Sequence, residues 1–206
     1  MAAGPEPTDP PQAEPPQAEP PQAEPPQAEP PQAEPPSEDP HRDDPPYAAD
    51  ERGMLDAWLA FHRATVAVKC AGLTQAGAHN APVPTSPSMT AAGLVSHLRW
   101  VESYWFERVL LGEAEAAPFD PDDPDAEWRP PYDVPLADLL AAYDKQVARS
   151  REIAAVFSLD HRAAPRRPGE EGVTLRWILH HLIEETCRHN GHLDIVRELT
   201  DGVTGE

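Results

Sequence analysis

A carboxylate and two imidazoles stand where a helix would be expected to carry leucine. In the stretch 173–200, spacings of three and four pick out Leu175, Ile178, Leu182, Glu185, His189, His192, Val196 and Leu199. Aliphatic residues at those intervals make the buried stripe of an amphipathic helix. Glu185, His189 and His192 interrupt the stripe at its middle. A buried charge is costly unless it is paired or bound to a metal, so something in the core has to complete this cluster. Glu185 and His189, four apart, project side by side from one rigid backbone, with Cβ atoms ~6 Å apart. His97, on the inner stripe of another predicted helix, adds a second imidazole. Two imidazoles and a carboxylate suit Zn²⁺ with a position left open for water or substrate, and also Fe²⁺ or Ni²⁺. The competing reading is a buried Glu–His network that serves packing alone. His192, one turn past His189, is a candidate fourth ligand, acid–base group or rim residue. His62 lies on the apolar face of a further helix as a core histidine or a support for a ligand. Either His192 or His62 could move protons or orient a ligand.

The elements that must hold these side chains are all helical. Helix one is predicted over about 50–71, with Leu55, Trp58, Leu59, Val66 and Cys70 on its apolar face. Helix two is predicted over 91–111, capped by Thr90 and closed by Gly112, with Leu94, His97, Leu98, Val101, Trp105 and Val109 inward. Helix three starts with Asp133 as cap and Pro135 in its first turn, and buries Leu136, Leu139, Leu140, Tyr143, Val147, Ile153 and Phe157. Helix four spans 173–200, with Thr174 near its start and Gly202 near its end. His180, Glu184, Arg188 and Arg197 fall on its solvated side or borders, and His181 lies nearer the stripe. The connection 113–133 is acidic and irregular, and Phe119 and Trp128 are its expected anchors. Its Asp-Pro-Asp-Asp-Pro-Asp run lacks the Gly and terminal Glu of an EF-hand loop, so calcium is discounted. No segment alternates with a period of two, so the fold class is all-α, a four-helix bundle.

Composition divides the chain. Residues 1–48 hold seventeen of the 28 prolines and five tandem Pro-Pro-Gln-Ala-Glu copies from Pro10 to Glu34. Such a tract has no apolar face to bury and is expected to be a disordered tail, leaving 49–206 as one domain. The net charge of -20, without a Lys/Arg cluster, argues against nucleic acid and against an anionic membrane surface. No apolar run reaches the ~18 residues that span a bilayer, so a soluble, cytoplasmic protein is expected. Cys70 and Cys187 lack CxxC spacing and read as reduced packing residues. Cys187 also points away from the stripe and no nucleophile elbow is present, which discounts a Ser or Cys triad hydrolase.

The segments WLAFHRATV, GLVSHLRWVESYWF and TLRWILHHLIEETCRHNGHLDIVRELTDG resemble the DinB-like four-helix-bundle superfamily. Within it they are similar to the actinobacterial mini-circle branch, related to the N-terminal domain of mycothiol-dependent maleylpyruvate isomerase. The resemblance covers nearly all of 49–206 and none of the tail. It implies an up-down-down-up bundle, frequent homodimers, and a divalent metal held by one His of the second helix and two residues four apart on the last. Those positions are His97, Glu185 and His189 here. Typical members carry His where Glu185 stands, and the isomerase-like members carry Glu. The resemblance also implies transfer chemistry between a small-molecule thiol, mycothiol, and an electrophile. The alternative is a non-catalytic metal-binding or scaffold module.

Overall fold

The computed structural model describes Met1, Gly4 and residues 42–114, 116–118, 120–165 and 171–204. The proline-rich repeats and Phe119 lie outside the described residues. Local capping explains where each helix begins. Asp50 accepts a hydrogen bond from the Gly53 N–H (2.7 Å) and caps α1, Glu51–Cys70. Thr74 caps the single-turn α2, Gln75–Ala78, and Thr90 caps α3, Ala91–Ser103. The chain of α3 continues as a π-helical segment, Tyr104–Leu111, which Gly112 ends at φ 76°. Pro135, not Asp133, occupies the cap position of α4, Leu136–Ala155, and makes no side-chain cap bond. Its fixed φ already fits a helix start, so the turn needs no acidic cap. Thr174 caps α5, Leu175–Asp201, and Gly202 closes it at φ 78°. No strand occurs among the described residues.

Cross-helix contacts fix the directions. The Arg176 Nε donates to Glu51 (2.7 Å) where α1 and α5 begin, and Lys69 pairs with Asp194 towards their other ends, so these helices are parallel. His97 meets α5 at Glu185 and His189, whereas Trp105 meets it at Trp177 and His181, so α3 runs antiparallel to α5. Arg52 at the start of α1 donates to the carbonyls of Ala154 and Phe157 at the end of α4 (3.0 and 3.2 Å). Early residues of α3 and α4 share one apolar cluster and later ones another, so these two are parallel. The arrangement is the up-down-down-up bundle.

The core consists of two apolar clusters separated by a polar layer. Val66, Leu94, Leu98, Leu139, Tyr143, Val147 and Leu193 fill one end. Leu59, Phe106, Val109, Ile153, Ile178 and Leu182 fill the other. In each helix a polar residue falls between the two sets: Arg63 in α1, Glu102 in α3, Ser150 in α4, and Thr186, His189 and Asn190 in α5, all buried. Arg63 and Glu102 form a two-pronged pair at 2.7 and 2.6 Å. Burial opposes the charge on Arg63, and the Glu102 carboxylate outweighs it and raises the guanidinium pKa.

Several expected inward positions differ. Trp58 is 42% exposed and Leu199 59% exposed, the latter in the part of α5 that outruns the end of α1. The π segment changes the register of the second helix, because its i→i+5 bonds widen the turn. Phe106 and Leu110 are therefore buried, and Trp105 is only half-buried against α5. Arg197 is buried rather than solvated: its Nη1 donates to the Lys69 and Ala71 carbonyls (2.6 and 2.7 Å), satisfying the C-terminal end of α1. Ahead of α1, the Arg42 guanidinium lies 4.9 Å over the Phe61 ring.

Removing one partner of a buried pair strands the other charge. Glu102→Ala is expected to cost about 3–5 kcal/mol. Arg63→Met combined with Glu102→Leu should recover most of that loss. Urea midpoints of the single and double variants check both.

Candidate metal centre

Two helices aim imidazole nitrogens at one carboxylate oxygen. Nε2 of His97 lies 3.2 Å from Glu185 Oε1, and Nε2 of His189 lies 3.1 Å from the same atom. The prospective ligand atoms of the three residues all fall within 4.8 Å of one another. The two rings meet edge to face, with centroids 4.8 Å apart. His97 and His189 are buried, and the Glu185 side chain is 13% exposed. α5 supplies two members because residues four apart share a face. α3 supplies the third because it runs antiparallel alongside.

The far nitrogens are also engaged. His97 Nδ1 lies 2.6 Å from Glu127 Oε1, and His189 Nδ1 lies 3.2 Å from His192 Nδ1. An ionised carboxylate only accepts, so His97 Nδ1–H donates to Glu127. In the neutral ring the Nε2 lone pair then faces an anionic oxygen of Glu185. A cation, either a proton or a metal ion, relieves that opposition. Burial disfavours charge on His97, but hydrogen bonds to Glu127 and Glu185 outweigh it and raise its pKa above 6.5. Glu185 is held well below the usual carboxylate range by hydrogen bonds from His189 and then His97, against the effect of burial.

Glu127 was absent from the sequence-based set. It sits on a single 3₁₀ turn, Ala126–Trp128, within the acidic connection. Ser96 Oγ donates to the Glu127 carbonyl (2.6 Å), and the Trp128 ring stacks on His97 with centroids 3.8 Å apart. Trp128 thus anchors the loop, as its position predicts, and also braces the imidazole. The close crossing requires Gly93, where an added Cβ would come within 2.5 Å of the Trp128 carbonyl oxygen. Nothing in the local sequence of 113–133 marks its one glutamate after Asp125 as different from the other acids. Only the packing of the turn onto α3 singles it out.

His192 contacts the far side of His189, with ring centroids 5.2 Å apart. Burial, then the charges of His189 and Arg188, lower its pKa. His62 is not among the clustered donors; it is half-buried, stacks on Trp58 and meets Phe61 edge-on. Its carbonyl accepts from Asn190 Nδ2 (2.9 Å), which ties α1 to the residue beside His189. A second donor group, His181, Glu184 and Glu185, shares Glu185 but faces outward. Cys70 is buried, which pushes its thiol up to about 12, and Cys187 is exposed.

A model of the family described as Mycothiol-S-transferase matches residues 54–202, from α1 to the end of α5. The chain belongs to the mycothiol S-transferase family. That membership agrees with the DinB-like resemblance and points to a small-molecule thiol as the family's substrate. No curated protein and no solved structure gives a significant match. No described helix is long and apolar enough to cross a membrane.

The family setting makes the fit of a divalent ion the relevant test. Atoms that share one ion at ~2.1 Å can be no more than about 4.2 Å apart, and both nitrogen–oxygen separations satisfy this. The imidazole tautomers also fit, because both Nδ1 atoms are occupied and both Nε2 atoms converge.

Two outcomes follow from this geometry. His97 has a raised pKa, so its charge favours the metal-free fold fully below 6.5 and that contribution is lost as pH climbs through the raised value. Glu185 has a lowered pKa, so its contribution is fully present above 4.5 and is lost on acidification through the lowered value. With chelator present, the two should stabilise together between about pH 4.5 and 6.5, and Glu185→Gln should flatten the plot of melting temperature against pH in that window. Glu127→Gln should weaken divalent-metal affinity by about 10–100-fold in a chelator competition, with the helical circular dichroism unchanged.

Proposed function

We propose that this chain is a divalent-metal-dependent thiol S-transferase that uses mycothiol, with His97, Glu185 and His189 as the metal ligands. The observation that carries the reading is the convergence of two imidazole Nε2 atoms on one oxygen of Glu185, with both Nδ1 atoms already committed. Membership of a thiol-transferring family supports it independently. Zn²⁺ is the first choice for a set of two nitrogens and one oxygen, with Ni²⁺ and Fe²⁺ next. Such an ion lowers the pKa of a bound thiol, so that thiolate is available near neutral pH.

The chain's own residues have distinct tasks in this reading. Glu127 holds His97 by its Nδ1–H and keeps Nε2 available, while Trp128 covers the ring face and excludes water from it. His192 orients His189 in the same way and is the group placed to move a proton at the solvent edge of the site. His62 has a supporting position, through the bond from Asn190 to its carbonyl. The neighbouring Arg188 reaches the outer oxygen of Glu185 (3.5 Å) and also pairs with Glu184, which restrains the carboxylate from outside. A soluble cytoplasmic enzyme that forms homodimers is the natural setting for this reading.

The test is metal content by mass spectrometry together with conjugation of mycothiol to an activated haloarene. Wild type purified without chelator or a His-tag is expected to hold about one ion per chain and to catalyse the transfer. Glu185→Ala and His97→Ala should lose the ion, keep the helical fold, and fall in kcat/KM on the order of a thousandfold. Wild type that takes up no metal even on reconstitution would make the cluster a packing network. Wild type that holds metal without transferring the thiol would make it a metal-binding module.

A further inference from the structure

Beyond the candidate metal centre, the seam between the second long helix and α5 carries an aromatic cluster whose inner members, Tyr104 and Trp105, pack against the apolar core while Trp177 stands half in water. Trp177, His181, Glu185 and His189 follow one another at intervals of four along α5, so Trp177 lies about 12 Å along the axis from Glu185. Trp177 stacks on His181 with centroids 5.1 Å apart and planes 17° apart. Trp105, from the π-helical segment, lies 5.0 Å from Trp177 at 53° and meets His181 edge-on at 4.8 Å. Tyr104 packs against Trp105 in turn (5.2 Å). Trp177 is thus fixed on one face, yet its residue is 47% exposed. Rigid aromatic rings kept in water beside a reactive cluster mark a binding surface more than a packing one. His181 joins the two regions, since its ring nitrogen lies within 4.8 Å of the carboxylate oxygens of Glu184 and Glu185.

The polar groups along the seam indicate the kind of ligand. Its cation, Arg188, is paired with Glu184 and reaches Glu185, and the chain as a whole is strongly acidic. An anionic ligand finds little to attract it there. A neutral ring with hydroxyl groups on its edge fits better. Its C–H faces carry partial positive charge and settle on the electron-rich faces of tryptophan. Its hydroxyls can meet Glu184 and His180, whose Nδ1 is already bonded to the Arg176 carbonyl (2.9 Å). Mycothiol carries its thiol on such a hydroxylated sugar–inositol pair.

Resting on the transferase reading above, we infer that Trp105 and Trp177 form the platform for the hydroxylated rings of the thiol cosubstrate, positioning its sulfur at the Glu185 end of the seam. The two tryptophans are specificity residues, and none of the metal ligands depends on them. A ring stacked at Trp177 and a thiol at Glu185 are separated by about two helical turns, which matches a ring pair joined to a cysteine arm.

The experiment uses the full-length, metal-loaded protein and N-acetylglucosaminyl-inositol, which has the rings and no thiol. Calorimetric titration should show binding to wild type, and Trp177→Ala and Trp105→Ala should weaken it about fivefold or more. Trp177→Phe, which keeps a ring, should fall between wild type and alanine. In the transfer assay, Trp177→Ala should raise the KM for mycothiol while leaving metal content, the KM of the electrophile and the rate with N-acetylcysteine unchanged. Equal fragment affinity in wild type and both alanine variants would overturn the inference. So would a KM change confined to the electrophile, which would assign the platform to that substrate instead. Fragment binding that depends on Trp177, in a protein that transfers no thiol, would sustain the platform and sink the transferase reading. Thiol transfer indifferent to Trp177 and Trp105 would do the reverse.

Discussion

The Arg63–Glu102 pair sets the terms for the rest of the bundle. Two charges taken out of water are tolerated only with close, two-pronged geometry, and here it is met by residues of different helices in the dry middle of the protein. Pairing α1 to α3 at that height fixes their register, and with it the height of everything else in the polar layer. The apolar clusters on either side can slide or repack at modest cost, because hydrophobic contact is non-directional. The ion pair cannot. It therefore acts as a pin through the middle of the bundle, and His97 stands about 7.5 Å along the same helix from it, five residues before Glu102.

The candidate metal centre borders this polar layer, and His189 belongs to both. His97 lies beside Leu98, the last residue that α3 gives to the first apolar cluster, and His189 lies between Leu182 and Leu193 on α5. What turns buried polarity into a potential ligand set is orientation. His97 is gripped at Nδ1 by Glu127 and faced by Trp128, and His189 is held at Nδ1 by His192. A hydrogen-bonded network for packing alone has no need for both imidazoles to present the same nitrogen to the same oxygen. That arrangement is the one a cation completes.

Much of this was legible in the sequence because helices repeat their spacing. The stripe of α5 gave Glu185 and His189 a shared face, Thr90 and Thr174 marked helix starts, and Gly112 and Gly202 marked ends, all from local rules that operate within one or two turns. The misplacements have physical causes. A turn of 3.6 residues points Trp105 inward, but the segment that carries it is π-helical. A long charged side chain such as Arg197 usually stands in water, whereas here the parallel α1 ends beside it with carbonyls in need of donors. The Arg63–Glu102 pair carries no signature in the sequence, since no rule of spacing pairs residues on separate helices. Glu127 was hidden among similar acids for the same reason.

The turn at Ala126–Trp128 belongs to none of the four long helices, yet it supplies the carboxylate that grips His97. Scaffold and tuning are thereby carried by different parts of the chain. The helices dictate where His97, Glu185 and His189 stand, while a short surface excursion fixes the orientation of one of them. A change in this turn therefore reaches His97 and the apolar core together, because Trp128 packs on both.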